Sequence, residues 1–481
     1  LRPVAVGRRE RHEGAETRAD RLVAVTAGRE VPHVTASAAL PQAASPRPGV
    51  AAQAGYGVGQ IAGQVFRDLP SLLLLFFMTT VLGIEPAIAG TVIFIPKLIL
   101  GVGCDVAVGI LSDRWKRRIA RRWWLLAGAA GSPVAMLLLF HVPSAPHGIQ
   151  IAYVAFVFSL YMVVFSSFSV PYLAIASQLA STPEARTVVM AWRLTFTAAG
   201  VLASGALAPW LVQHYGGGQP GYEAMSMALA IICPTALVIS FFGAGAASRA
   251  AGHAFAAASP VVFSLRDTVA ALRAPRFSVL LGVTLLQLTG AGLSYASMLY
   301  FLSYNMARPD AFTLIGVLVL MACAGIVVAQ PVWVALARRF GKKRVWLAAT
   351  LLYAVLNLVW AFAAHAGSTA AYALSGVAGL GNSGWALLGF SMLSDIAGDD
   401  EERAGLYSAV WIAADKIGFA LGGTLLTGLV LQAFGFDVAA AVRGLPQPAS
   451  ALTGIMLAFG VLPALFNIVA AGAFARWGRT V

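Results

Sequence analysis

The sequence predicts an all-α integral membrane protein of twelve transmembrane helices, arranged as two six-helix bundles. Three observations lead there. Of 481 residues, 59% are hydrophobic and 11% charged, where a soluble domain carries about a quarter charged. Twelve apolar stretches follow one another, and a helix needs roughly 20 apolar residues to cross a bilayer. Two basic loops recur, each between the second and third stretch of its half, as a parallel internal repeat requires. Backbone in lipid must satisfy its own polar groups, so the spans are helices.

Residues 1–52 precede the first span. They hold eight arginines among Pro, Ala and Ser without an apolar period, so a disordered basic tail is expected. The first bundle occupies 53–243. Its spans are read near 57–82, 86–111, 123–141, 149–177, 186–212 and 222–243. A central loop over 244–277 holds a short helix at the interface. The second bundle, 278–481, has spans near 278–303, 311–337, 345–364, 369–396, 403–432 and 451–475. The 49 glycines suit closely packed membrane helices. Pro70, Pro96, Pro171 and Pro331 are candidate kinks.

The basic residues set the orientation. Arg114, Lys116, Arg117, Arg118, Arg121 and Arg122 fill one short loop, and Arg338, Arg339, Lys342, Lys343 and Arg344 its counterpart. Arg186, Arg249, Arg266, Arg273, Arg276, Arg403, Arg476 and Arg479 join them on the same side, against Arg308 and Arg443 on the other. Both termini are therefore cytoplasmic, in a multi-pass inner-membrane protein. Cations scattered between spans also argue against a nucleic-acid face. Cys104, Cys233 and Cys323 lie in apolar segments at spacings that fit neither zinc nor disulfides. No G-x-x-x-x-G-K-[ST] or H-E-x-x-H pattern occurs, and no serine has a histidine partner, so nothing nominates an enzyme.

The informative residues are ionisable groups inside spans, each costing about 2.5–3.5 kcal/mol unless it faces a cavity or a partner. Gln60, Gln64 and Arg67 share a helix face and read as a polar stripe into a cavity. Arg67 tied to Asp105 is the alternative. Lys97 and Asp105 share a face of the second span. Lys97 otherwise snorkels outward, and Asp105 otherwise caps the basic loop. Lys416 lies well inside the eleventh span with no acid three or four positions away, so it awaits another helix or an anionic solute. Asp415 beside it reads as structural. Arg193 fits a solute contact, or an anchor for Glu184 or a lipid phosphate. Tyr56, Trp192, Trp385 and Trp411 stack on a solute or serve as packing.

Four segments carry a family resemblance. Tyr56-Gly57-Val58-Gly59 is similar to Y-G-x-G, and Asp105 to Arg114 to D-P-x-x-G-x-x-x-D-R. Val170-Pro171-Tyr172-Leu173-Ala174 with Arg186 and Trp192-Arg193 is similar to V-P-Y-x-A-L…R…Y-R. Ser391-Met392-Leu393-Ser394-Asp395 with Gly405 and Lys416 is similar to S-M-x-A-D…G…K. Over about residues 55 to 475 the chain resembles the glycoside–pentoside–hexuronide:cation symporters, the melibiose-permease-like branch of the major facilitator superfamily.

That resemblance implies sugar or sugar-conjugate transport driven by sodium, lithium or protons, with carboxylates on helices one, two and four. The carried-over positions are Gln64, Gly101, Asp105 and Ser169, plus Lys416 on helix eleven. Three of four acids are absent, and Val106 replaces the proline after Asp105. A sodium ion needs several hard oxygens, whereas a proton needs one carboxylate, so a proton is the expected coupling ion. No other cofactor is expected. Arg67, Arg193 and Lys416 favour an anionic solute.

The expected protein is a monomeric secondary transporter in the lipid bilayer. Gln64, Arg67, Arg193, Trp411 and Lys416 bind solute. Asp68, Asp105 and Ser169 serve the coupling cation. Asp113, Arg114, Lys342 and Asp395 gate. A lysolipid or other amphiphile carrier, a facilitator and a non-transporting scaffold are the alternatives.

Overall fold

The computed structural model describes residues 49–115, 118–179, 183–250, 265–400 and 403–478. Residues 1–48, Lys116, Arg117, Arg479 and the side chains of Glu184, Arg186 and Arg266 lie outside that description.

Twelve long helices run through the described residues. They are α1 Val50–Thr80, α2 Pro86–Trp115, α3 Trp123–Phe140, α4 His147–Gln178, α5 from Pro183 through His214, and α6 Gly218–Ala250. Then come α7 Pro275–Asn305, α8 Ala311–Phe340, α9 Lys342–Ala361, α10 Ser368–Asp399, α11 Ala404–Ala433 and α12 Ala449–Trp477. Eleven are long and apolar enough to cross a membrane. The exception is α10, 32 residues long, whose glycines and serines dilute its apolar character.

Several boundaries differ from the sequence reading, and helix α7 begins at Pro275, inside the expected central loop. Helix α1 already starts at Val50, inside the expected tail, because Val50 to Ala54 carries no breaker. Helix α6 continues past residue 243 to Ala250, because Gly243 and Gly245 cost a helix only about 1 kcal/mol each. The central loop does contain a short helix, Leu265–Arg273. Pro70 opens a π-helical turn, Pro70–Leu74, while Pro96, Pro171 and Pro331 sit inside helices that run on unbroken. Further π turns lie in α5, α7, α11 and α12.

The packing repeats with a shift of six helices. In the first half α1 packs on α5 and α6, α2 on α4, and α3 on α4 and α6. In the second, α7 packs on α11 and α12, α8 on α10, and α9 on α10 and α12. The halves meet where α1 touches α7, α2 touches α11, and α5 touches α8. Lipid is as apolar as leucine, so close approach rather than water exclusion holds such helices together. Glycine permits it. Gly90 of α2 abuts the Thr424 carbonyl of α11, and Gly428 of α11 abuts the Pro86 carbonyl. A Cβ on Gly316 of α8 would lie 2.9 Å from the Ala206 Cα of α5.

These glycine contacts sit at the end of the helices away from the basic loops. There Thr79 and Tyr300 hydroxyls lie 2.7 Å apart, and Gln213 donates to the Pro309 carbonyl at 2.9 Å. One buried core joins both halves at that end. A smaller one gathers Trp333, Trp346, Trp385 and Trp411 within the second half. The three cysteines are free thiols.

Candidate functional site: the charged seam between the halves

Helix α1 is buried or half-buried from Ala52 to Thr80 except for one exposed residue, Arg67. Its side chain is 47% exposed, so it faces open space between the halves. Adjacent helical residues point about 100° apart, and Asp68 accordingly turns inward and is 7% exposed.

Two ion pairs cross the seam here, both on α11. Arg67 Nη2 donates to Asp415 Oδ2 at 3.1 Å. Lys416 Nζ donates to Asp105 Oδ2 of α2. Consecutive residues of opposite sign thus hold two helices of the other half. The guanidinium of Arg67 also lies 5.9 Å from the Phe419 ring centre, and Lys416 Nζ lies 5.7 Å from that of Phe165. Asp105 Oδ1 is buried without a hydrogen-bond partner, as is Ser169 Oγ on α4. Both pairs remain partly exposed, Lys416 at 32% and Asp105 at 21%.

Behind this pair of pairs lies a polar layer. Gln64 Nε2 donates to Asp68 Oδ2 at 2.7 Å, and Ser204 Oγ of α5 approaches the same oxygen at 3.5 Å. Lys97 Nζ donates to Ser71 Oγ at 2.7 Å. Arg193 Nη2 donates to Gln60 Oε1 at 3.1 Å, and its guanidinium lies 5.3 Å from the Tyr172 ring centre. Among the described residues, no three His, Cys, Asp or Glu side chains gather as metal ligands.

Several sequence readings are corrected by this geometry. The Gln60, Gln64, Arg67 stripe does not face one cavity. Gln64 is buried on Asp68 and Gln60 is taken by Arg193. Arg67 pairs with Asp415, not Asp105, and Asp415 is therefore a seam residue. Lys97 does not snorkel outward, because Ser71 supplies an inward acceptor. Asp105 does not cap the basic loop, because Lys416 holds it at the seam. Trp411 is 4% exposed and packs on Phe390, which places it in the second half's core. Tyr56 likewise packs, stacking on Tyr172 at 4.6 Å and donating to its carbonyl.

Three of the four gate candidates pair within their own halves. Asp113 accepts from Arg121 of the same loop, and Arg114 is exposed. Lys342 Nζ donates to both Asp395 oxygens, at 2.8 and 2.6 Å. Sequence reasoning missed Ser71 and Ser204, which are common residues in spans and carry no charge to flag them.

Comparison with known proteins agrees with this architecture. A family profile described as MFS/sugar transport protein matches residues 55–477. The inner membrane symporter YicJ of Escherichia coli (strain K12) is 22% identical over 87% of this chain and 89% of its own length. The isoprimeverose transporter of Lactiplantibacillus pentosus is 24% identical over 85% and 84%. Among solved structures, the nucleoside transporter NupG superposes with a TM-score of 0.61 at 13% identity, over 90% of this chain and 100% of that one. At that identity the likeness concerns the fold. Profile, fold and repeated helix packing together establish that the chain belongs to the MFS/sugar transport protein family, as a multi-spanning membrane transporter that moves a small solute.

Proposed function

We propose that the protein is a secondary active transporter of the glycoside–pentoside–hexuronide:cation symporter type. It carries a sugar or sugar-like anionic solute by alternating access, with a proton as coupling ion. Helix α10 is its twelfth span, and α1–α6 and α7–α12 are its two bundles. The basic loops and both termini face the cytoplasm of a cell whose inner membrane holds the protein as a monomer. The halves are closed at the glycine-lined end, so the present arrangement opens inward.

The observation that carries this reading is the crossing of the seam by Arg67–Asp415 and Lys416–Asp105. A proton entering at the unpartnered Asp105 Oδ1 cancels the carboxylate charge. Lys416 is then left without its counter-ion in a medium where a lone charge is costly. An anionic solute restores the balance. Proton and anion thus bind to the two members of one pair, and each favours the other. At Arg67 the solute competes with Asp415 for the guanidinium. The name of the L. pentosus relative supports a sugar. The surplus of cations over acids among Arg67, Lys97, Arg193, Lys416, Asp68, Asp105 and Asp415 supports a negative charge on it.

The test is solute-driven proton movement in proteoliposomes, using neutral sugars, uronates and lysolipids, with wild type beside Asp105→Asn. Proton uptake driven by one solute class, lost in Asp105→Asn while solute exchange survives, is the expected result. Solute flux without proton movement, unchanged in the variant, would overturn the coupling and leave a facilitator.

A further inference from the structure

At the end away from the basic loops one side chain reaches far across the boundary between the halves. Gln213, near the end of α5, meets the start of α8. Its Nε2 donates to the Pro309 carbonyl at 2.9 Å. Its Oε1 accepts from the Thr313 amide at 2.9 Å and from the Thr313 hydroxyl at 3.0 Å. One primary amide thus uses a donor and both of its acceptor directions. The Thr313 amide is shared with the Asp310 carbonyl, at 3.0 Å, so Gln213 adds to a turn that already closes on itself.

The second half shapes the receiving loop with its own residues. Ala307 holds a φ of 47°, which residues with a Cβ seldom adopt. The Arg308 N–H donates to the Leu302 carbonyl at 3.0 Å. The Arg308 side chain grips Asp310 through two nitrogens, each at 2.8 Å. Asp310 stands at the N-cap of α8, yet its side chain makes no capping hydrogen bond. Gln213 of the other half bonds an amide of that first turn instead.

The internal repeat puts a second glutamine in the matching place. Helices α5 and α11 are the fifth of their halves, and each contains a π turn, Ala203–Leu207 and Leu421–Leu426. Gln213 is the sixth residue after the first turn and Gln432 the sixth after the second. Gln432 Nε2 donates to Glu85 Oε2 at 3.4 Å. Glu85 directly precedes α2, as Asp310 directly precedes α8. The two contacts are unequal. Gln213 is half-buried and makes three bonds, whereas Gln432 is exposed and its bond is long.

We infer that Gln213 and Gln432 form a paired latch that holds the end away from the basic loops shut, with Gln213 as the stronger arm. The latch presupposes the alternating access proposed above, but neither the solute nor the coupling ion named there. Opening that end parts α5 from α8 and α11 from α2, so both glutamines let go in one step. Each freed amide finds water, so three bonds amount to about a tenfold bias rather than a lock. A latch of that size sets the resting conformation and still lets the end open.

The experiment is hydrogen–deuterium exchange of the full chain in nanodiscs, without solute, read in the peptides around Thr79 and Tyr300. Those two residues join α1 to α7 at the same end and bond neither glutamine, so they report opening of the whole end. Gln213→Met keeps the side-chain length and removes all three bonds, and exchange there should quicken about tenfold. Gln213→Glu keeps both acceptor bonds and should fall between that variant and wild type. Gln432→Met should quicken exchange about twofold, and it decides the matter if Gln213→Met misfolds. Gln219→Met is the control, because the Gln219 amide bonds Val142 and Glu223 within the first half. It should leave these peptides unchanged. Quickening confined to residues 309–313, no effect of Gln432→Met, or equal effects of Gln219→Met and Gln213→Met would overturn the latch and leave alternating access standing. Peptides at Thr79 and Tyr300 that stay protected in wild type and every variant would overturn both.

Discussion

The two halves of this transporter touch in two unlike ways. At the end away from the basic loops they meet backbone to backbone, Gly90 on Thr424 and Gly428 on Pro86. In the middle they meet charge to charge, Arg67 on Asp415 and Asp105 on Lys416. The first contact depends on shape and responds to neither proton nor solute. The second depends on ionisation and on whatever anion is present. A protein that must open one end in response to a ligand places its ligand-sensitive contact at the site and its insensitive one at the hinge of closure.

The largest expected effect comes from breaking the shape-dependent contact. Gly90→Val drives side-chain atoms into the Thr424 carbonyl, and overpacking of that kind costs about 1–3 kcal/mol. Solute uptake should fall about 100-fold, with cysteines placed on α2 and α11 becoming reactive from the far side. Normal uptake in Gly90→Val would show that the glycine contact is dispensable.

Next in size is Asp105→Asn. Proton-coupled accumulation should drop about tenfold, equivalent to about 1.4 kcal/mol, and retained accumulation would move the coupling proton elsewhere. Arg67→Gln and Asp415→Asn should each lower uptake of an anionic solute about fivefold. Combined, they should cost less than the product, with a coupling energy of about 1 kcal/mol in a double-mutant cycle. Full additivity would mean that Arg67 and Asp415 act separately.

The smallest effect belongs to the loop beside the glycine contact. Arg308 bonds Asp310 at 2.8 Å through two nitrogens and holds its carboxyl below the usual carboxylate range. A depressed folded-state value contributes stability at neutral pH that is lost as pH falls through it. Arg308→Gln should therefore lower Tm by about 1 °C at pH 7, since the pair is half exposed and screened. The gap to wild type should narrow as the medium is acidified below the usual carboxylate range. A gap that widens in acid would contradict this assignment.

The spans were legible in the sequence because the hydrocarbon thickness of a bilayer imposes a length, and α2, α3, α8 and α10 begin within a residue or so of the expected positions. Helix α10 was readable as a helix between polar turns, although its diluted hydropathy leaves it outside the eleven that are apolar enough to cross. The ionisable seam residues were legible as costly exceptions, and Lys416 and Asp105 stand out for that reason. Their partners were not. Arg67 and Asp415 are 348 residues apart, and which helix faces which follows from bundle packing, not from local spacing. Gln64 carries the same lesson in reverse, because helix periodicity put it beside Arg67 while Asp68, itself approached by Ser204 of α5, claimed it for the interior.

One detail of α11 limits how the molecule can move. Asp415 and Lys416 are neighbours of opposite sign, each facing an opposite charge on a different helix. If α11 spun about its own axis by one residue, about 100°, Lys416 would confront Arg67 and the attraction would become repulsion. The helix is indexed, like a key with two unlike teeth. Rocking that preserves both pairs therefore tilts α11 without turning it, and a spin label on its outer face should keep the same azimuth wherever both pairs are intact.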